Sequence, residues 1–182
     1  QAYHIETDNQ YPYHVYMTQQ DNSSLAIPSN CPDKGAISWA EIYMAGTGES
    51  GYIQPRPDDH NIVYIGAIGS SPGGGNSLQR YDHRTKQVQL IANWPEANDG
   101  DGAIEDRYRF NWTYPIILSP HDPNTLYVGG SKVLKTQDEG YTWTEISPDL
   151  TRNDPEKLQP TGGPINRDSI GAETYCTVYS LA

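Results

Sequence analysis

Apolar positions along the chain come in short runs, each closed by Gly, Pro, Asn or Asp, and almost no stretch carries a helical period. The pattern predicts short strands joined by turns. The clearest set runs Tyr114–Leu118, Thr125–Gly129, Lys132–Thr136 and Thr142–Ile146. Its first turn, Ser119–Asn124, has Pro and Asp in turn-favoured places. A preceding set runs Tyr52–Gln54, Ile62–Ala67, Ser77–Tyr81 and Gln87–Ala92. Before it come parts of another: His14–Gln19, Ser24–Ile27 and, as its last strand, Ser38–Tyr43. Glu173–Leu181 is expected to open one more.

These sets are copies of one unit. Pro57–Gly66 (PDDHNIVYIG) matches Pro120–Gly129 (PHDPNTLYVG), with Pro, Asp, Asn, Tyr and Gly at equivalent positions. A looser copy, Tyr11–Met17, puts Tyr16 in the place of Tyr64 and Tyr127. Repeats at tens of residues indicate stacked units. Copies of β character, each followed by further short strands, favour a propeller blade. The predicted fold is therefore all-β, a β-propeller of four-stranded antiparallel blades. Its pieces are roughly 1–47, 48–112, 113–172 and the start of the next at 173–182. About three blades do not close a ring, which needs ~4–8. The chain is thus expected to be part of one propeller domain, completed by remaining blades of the same protein or by another subunit.

Composition narrows the partners. Hydrophobic residues are 35%, alongside 17 Gly, 14 Pro and 14 Tyr, which suits a turn-rich β protein with half-buried aromatics. A net charge of −11 excludes nucleic acid as a partner, because phosphate neutralisation needs clustered Lys and Arg. No apolar run reaches the ~18 residues of a membrane span. Cys31 and Cys176 have no metal-type spacing; one long-range disulfide and two free thiols stay open as alternatives. Gly73–Gly75 lacks the helix and Lys of a phosphate cradle. Asn98–Gly102 (NDGDG) lacks the glycine placement and distal Glu of a calcium loop. No cofactor and no metal are expected.

Blade topology sorts the loops between two ends. Turns after the first and third strands of a blade share one end, and they are short. Connections after the second and fourth strands share the other. These include the long loops Ile68–Asn76, Asn93–Thr113 and Pro148–Ala172. Long loops gathered at one end of a rigid scaffold are where binding usually lives. Glu49 and Glu173 sit just ahead of innermost strands and are the candidate catalytic carboxylates. Arg107, Arg109 and Asn111, with Gln20 and Asp21, are candidate ligand-binding residues. Two nearby carboxylates suit acid and nucleophile or base roles on a glycosidic bond. The competing reading is an Arg–Glu ion-pair network locking blades together. His60 and His121 fall at the opposite end and read as solvated turn residues.

One hairpin carries a signature. Thr136–Trp143 (TQDEGYTW) follows an S/T-x-D-x-G-x-x-W pattern: Asp138 to accept amide hydrogen bonds in the turn, Gly140 for positive φ, Trp143 to cover it. Asp82 stands where Asp138 does, in a degenerate copy lacking the Gly and Trp. The chain resembles Asp-box (BNR-repeat) β-propellers, nearest to the sortilin-like or "glycosyl hydrolase BNR repeat" secreted bacterial proteins. Phrases such as GESGYIQPRPDDHNIVYIG, RYRFNWTYPIILSPHDPNTLYVGG and GGPINRDSIGAETYCTVYSLA carry that resemblance. It implies a multi-bladed, exported protein, extracellular or periplasmic, with the box as a folding device. Two activities are compatible: a ligand-binding or assembly scaffold for a polysaccharide or protein ligand, and, as the alternative, a glycoside hydrolase at the channel mouth.

Overall fold

A computed structural model describes residues 2–49, 51–66, 77–95, 100–169, 171 and 174–182. The fold is all-β, three four-stranded antiparallel sheets with no helix and no closed sheet among the described residues. Sheet I holds β1 (Ile5–Thr7), β2 (His14–Gln19), β3 (Ser23–Pro28) and β4 (Tyr43–Met44). Sheet II holds β5 (Ile53–Pro55), β6 (Ile62–Ile65), β7 (Gln79–Asp82) and β8 (Gln87–Leu90). Sheet III holds β9 (Ile116–Leu118), β10 (Leu126–Gly129), β11 (Val133–Thr136) and β12 (Thr144–Glu145). In each, strand order follows chain order.

The strands differ from the expected set at three places. Ser38–Tyr43 is not a strand; only Tyr43–Met44 pairs, with Ala26 and Leu25. Glu41 prevents it, because its carboxylate takes the Ser38 amide and hydroxyl and folds that stretch into a turn. Ile5–Thr7 forms a first strand that its short, wholly exposed IET pattern did not reveal; it pairs with Val15–Met17. Thr174–Ala182, where a further set is expected to open, is not paired as a strand among the described residues. It makes one ladder-like bond, Val178 N to Gly130 O at 2.7 Å, and Cys176 at φ 73 breaks the extended run. Glu173 lies outside the described residues.

The sheets pack face to face through two seams. β6 alternates with period two, as strands must. Its Val63 and Ile65 pack on Tyr16 and Ala26 of sheet I, while Ile62 and Tyr64 pack on Leu126 and Val128 of sheet III. All four β6 residues are therefore buried, and the middle sheet has no solvent face there. The repeat explains the orientation. Tyr16 and Tyr64 each turn toward the following sheet and are buried, whereas Tyr127, the third copy, is half-buried on the face with no following sheet among the described residues. Burying each such side chain contributes about 1.5–3 kcal/mol.

One seam is sensitive to acid. The Asp8 side chain is 0% exposed between the first two sheets. Its Oδ1 accepts the His14 amide at 2.8 Å and its Oδ2 the Tyr16 hydroxyl at 3.0 Å. Burial pushes its carboxyl up, but bonds from His14, Gln10 and Tyr16 outweigh that and hold it below the usual range. Burial pushes His14 and His83 below the ordinary imidazole value; Asp8 partly opposes this at His14, and Lys86 adds to it at His83. The unfolded chain therefore takes up these histidine protons first as pH falls below about 6.5, which favours unfolding. The Asp8 contribution is present above the ordinary carboxylate value and is lost as pH falls through its lower folded one. Melting followed by circular dichroism should give a Tm level from about pH 8 to 7 that declines below about 6.5. Replacing both His14 and His83 with Gln should flatten that first decline and leave the later one below about pH 4.

Candidate functional site

The loop sorting holds where it is described. At the long-loop end, residues 46–49 and Gly51 are sewn to strands β2 and β3. Ser24 Oγ donates to Gly48 O, and Thr18 Oγ1 to Gly51 O at 2.7 Å. This brings together three residues that were separate candidates. Glu49 Oε2 accepts the Asp21 amide at 2.8 Å, and Gln20 Oε1 accepts the Tyr3 hydroxyl. Glu49 is thus tied to a backbone N–H. Its proposed counterpart Glu173, like the loop at 68–76, lies outside the described residues.

Arg109 proves to be a tie within the chain. It is 6% exposed. Nη2 donates to Asp149 Oδ2 at 2.6 Å and to Thr151 Oγ1 at 2.8 Å, while Nε reaches Cys176 O at 3.3 Å. A buried cation demands such pairing, and here it binds the chain ahead of β9 to that beyond β12. The predicted ion-pair reading holds for this residue in kind, with Asp149 in place of a Glu. Arg107 instead stacks over Trp94, 4.2 Å from the ring centroid. Asn111 lines an open hollow of about 540 Å³ with Leu150, Arg152, Tyr175 and Tyr179.

Beside that hollow is a cleft of about 310 Å³, lined by Asp101, Asp106, Asp168, Lys157, Gln159 and Tyr175. Thr174 and Tyr175 border both. Its walls are two long loops that pair with each other. Gly100 N donates to Ser169 O at 2.7 Å and Ile104 N to Leu158 O at 3.0 Å, while within the second loop Asp168 N donates to Thr161 O at 3.0 Å. Gly102 permits the close approach, since a Cβ there would meet Pro160 N at 2.6 Å. Lys157 Nζ stands 5.4 Å from the Tyr175 ring centre, and Arg167 Nη1 stands 3.6 Å from Asp101. Carboxylates, an amide, hydroxyls and an aromatic ring together suit a polyhydroxylated or cationic group. Sequence reasoning placed function on these loops but missed Asp106, Lys157 and Asp168, because nothing local to either loop says that the two will pair. Among the described residues, no group of three or more His, Cys, Asp or Glu could hold a metal ion. Cys31 and Cys176 are free thiols; Cys176 Sγ accepts the Asn153 amide at 3.2 Å.

At the opposite end the Thr136–Trp143 hairpin has the geometry its residues predicted. Asp138 Oδ1 accepts the Thr142 amide at 2.8 Å and the Thr136 hydroxyl at 2.8 Å, and Gly140 has φ +92. Its reach was not foreseen. Trp143 Nε1 donates to Ile91 O of the neighbouring sheet at 3.0 Å. Glu139 is clamped by two arginines from sheet II. Arg56 Nη1 donates to its Oε1 at 2.8 Å, and Arg80 Nε makes an ionic contact with Oε2 at 2.7 Å without hydrogen-bond alignment. An Arg–Glu lock between sheets therefore exists, at the end where it was not sought. No family model matches the chain, and no curated protein matches it in sequence.

Proposed function

We propose that this chain is part of an exported Asp-box β-propeller of the BNR-repeat, sortilin-like kind, and acts as a ligand-binding or assembly module through its long-loop end. The observation that carries this reading is the Asp101–Asp168 cleft, built from two long loops that pair with each other. The engagement of nearby charges supports binding over chemistry. Glu49 is held by the Asp21 amide and Arg109 by Asp149, so neither is poised to act on a substrate. The propeller reading draws on three successive four-stranded sheets packed face to face, with Tyr16 and Tyr64 turned the same way. Two faces lack a partner sheet among the described residues: that of Tyr127, and that of Val15, Met17, Leu25 and Ile27 in sheet I. Further blades, from the same protein or another subunit, are the proposed cover.

The test is amide-shift mapping of the ¹⁵N-labelled chain against a panel of neutral and amino-substituted oligosaccharides and of basic and acidic peptides. A binder should shift Asp101, Asp106, Gln159, Asp168 and Tyr175. The double change Asp106→Asn, Asp168→Asn should weaken it by about tenfold, the scale of one charge-assisted hydrogen bond. Every glycan should be recovered intact. Cleavage that Glu49→Gln abolishes would establish the hydrolase alternative instead, and an absence of shifts at the cleft would remove the binding reading.

A further inference from the structure

The two seams differ at one seat. In sheet III the register Leu134↔Glu145 and Lys135↔Thr144 continues to set Trp143 opposite Thr136. There its indole donates to Ile91 O, just past β8. The repeat fixes the matching place in sheet II. Leu126 pairs with Thr136, and its equivalent Val63 pairs with Tyr81, whose own partner is Val88. Val88 therefore stands where Trp143 would. The position that matches Ile91 is Ala45, whose N–H donates to Ser24 O just past β4 as that of Ile91 donates to Leu78 O just past β8, at 3.0 and 2.9 Å, and which is itself 0% exposed.

A valine does not fill an indole's seat, and the space is open. A groove of about 400 Å³ runs between β4 and β8, lined by Tyr43, Met44, Thr47, Tyr81, Lys86 and Val88. Its lining is mainly apolar, and Met44 and Val88 are 55% and 40% exposed. Among the described residues that line it, Lys86 is the one charged group, in a chain of net charge −11.

We infer that this groove is a docking site for an aromatic side chain on an extended segment of a partner protein that carries a carboxylate next to it. Trp143 at the equivalent place of the other seam is the precedent: its ring covers apolar positions between the two sheets. Lys86 at the margin supplies the charge preference. The site lies on the outer edge of the seam and is separate from the long-loop cleft.

The probes are the blocked peptides Gly-Trp-Glu-Gly and Gly-Trp-Lys-Gly, titrated into the ¹⁵N-labelled chain. Saturable shifts should be confined to Tyr43, Met44, Gly46, Thr47, Tyr81, Lys86 and Val88, with the acidic peptide bound at least about threefold more tightly. Lys86→Glu, a change at an exposed side chain, should invert the preference. Val88→Trp should occupy the seat, abolish binding and raise Tm. The inference is overturned by absent binding, by shifts located elsewhere, or by affinities indifferent to both changes. It is equally overturned by a concentration-dependent dimer, seen in sedimentation, that neither peptide displaces, since the occupant would then be a second copy.

Discussion

Replacing Arg56 with Ala should lower the unfolding free energy by about 3 kcal/mol, a large share of the ~5–15 kcal/mol typical of a domain. Arg56 is 6% exposed, and its guanidinium serves three acceptors from three loops. Nε and Nη2 fork onto Asp58 at 3.0 and 2.8 Å, Nη1 meets Glu139 at 2.8 Å, and Nη2 also meets Asn124 at 3.0 Å. The last two belong to sheet III, so the side chain is a rivet through the second seam. Its loss leaves Glu139 facing Arg80 alone, across a contact that is poorly aligned. Urea denaturation should show a lower midpoint with an unchanged slope. Arg56→Lys should recover less than half, because an ammonium cannot reproduce the fork. A loss under about 1 kcal/mol would class the rivet with ordinary surface pairs.

Gly140→Ala should cost about 2–4 kcal/mol, from two sources that add. At φ +92 an L residue is strained. The new Cβ would also stand 2.6 Å from Ile91 Cβ and 2.8 Å from its Cδ1, forcing the hairpin off sheet II. The hydrogen bond from Trp143 to Ile91 O lies in the same contact and should weaken with it. Gly163→Ala is the matched control, since a Cβ there meets nothing within 4 Å. Its effect should stay within about 0.5 kcal/mol. A Gly140 variant as stable as the Gly163 variant would mean that the hairpin does not rest on the neighbouring sheet.

The strands were legible because their signals are local. Short apolar runs closed by turn residues located most of them, and the repeat set Tyr16, Tyr64 and Tyr127 at equivalent places. The hairpin was legible because Thr136, Asp138 and Gly140 satisfy one another within a few residues. What escaped was set by distant partners. The Ile5–Thr7 strand exists through its pairing with β2 and carries no apolar alternation of its own. Arg109 looked like a ligand contact until Asp149, forty residues on, took its charge. Glu139 drew no reading of its own in the sequence, because its partners Arg56 and Arg80 come from the neighbouring sheet. At the long-loop end, sequence named the loops, but the cleft depends on the pairing of 100–104 with 158–169, which no spacing encodes.

The most direct measurement of the central claim, that three sheets are stacked with β6 buried on both faces, is native-state amide exchange. Tyr64 and Ile65 should rank among the slowest amides in the chain, Tyr16 and Val128 should follow, and Thr144 and Leu90 on outer strands should exchange orders of magnitude faster. Exchange at Tyr64 as fast as at Thr144 would contradict the stacking, and the two seams with it.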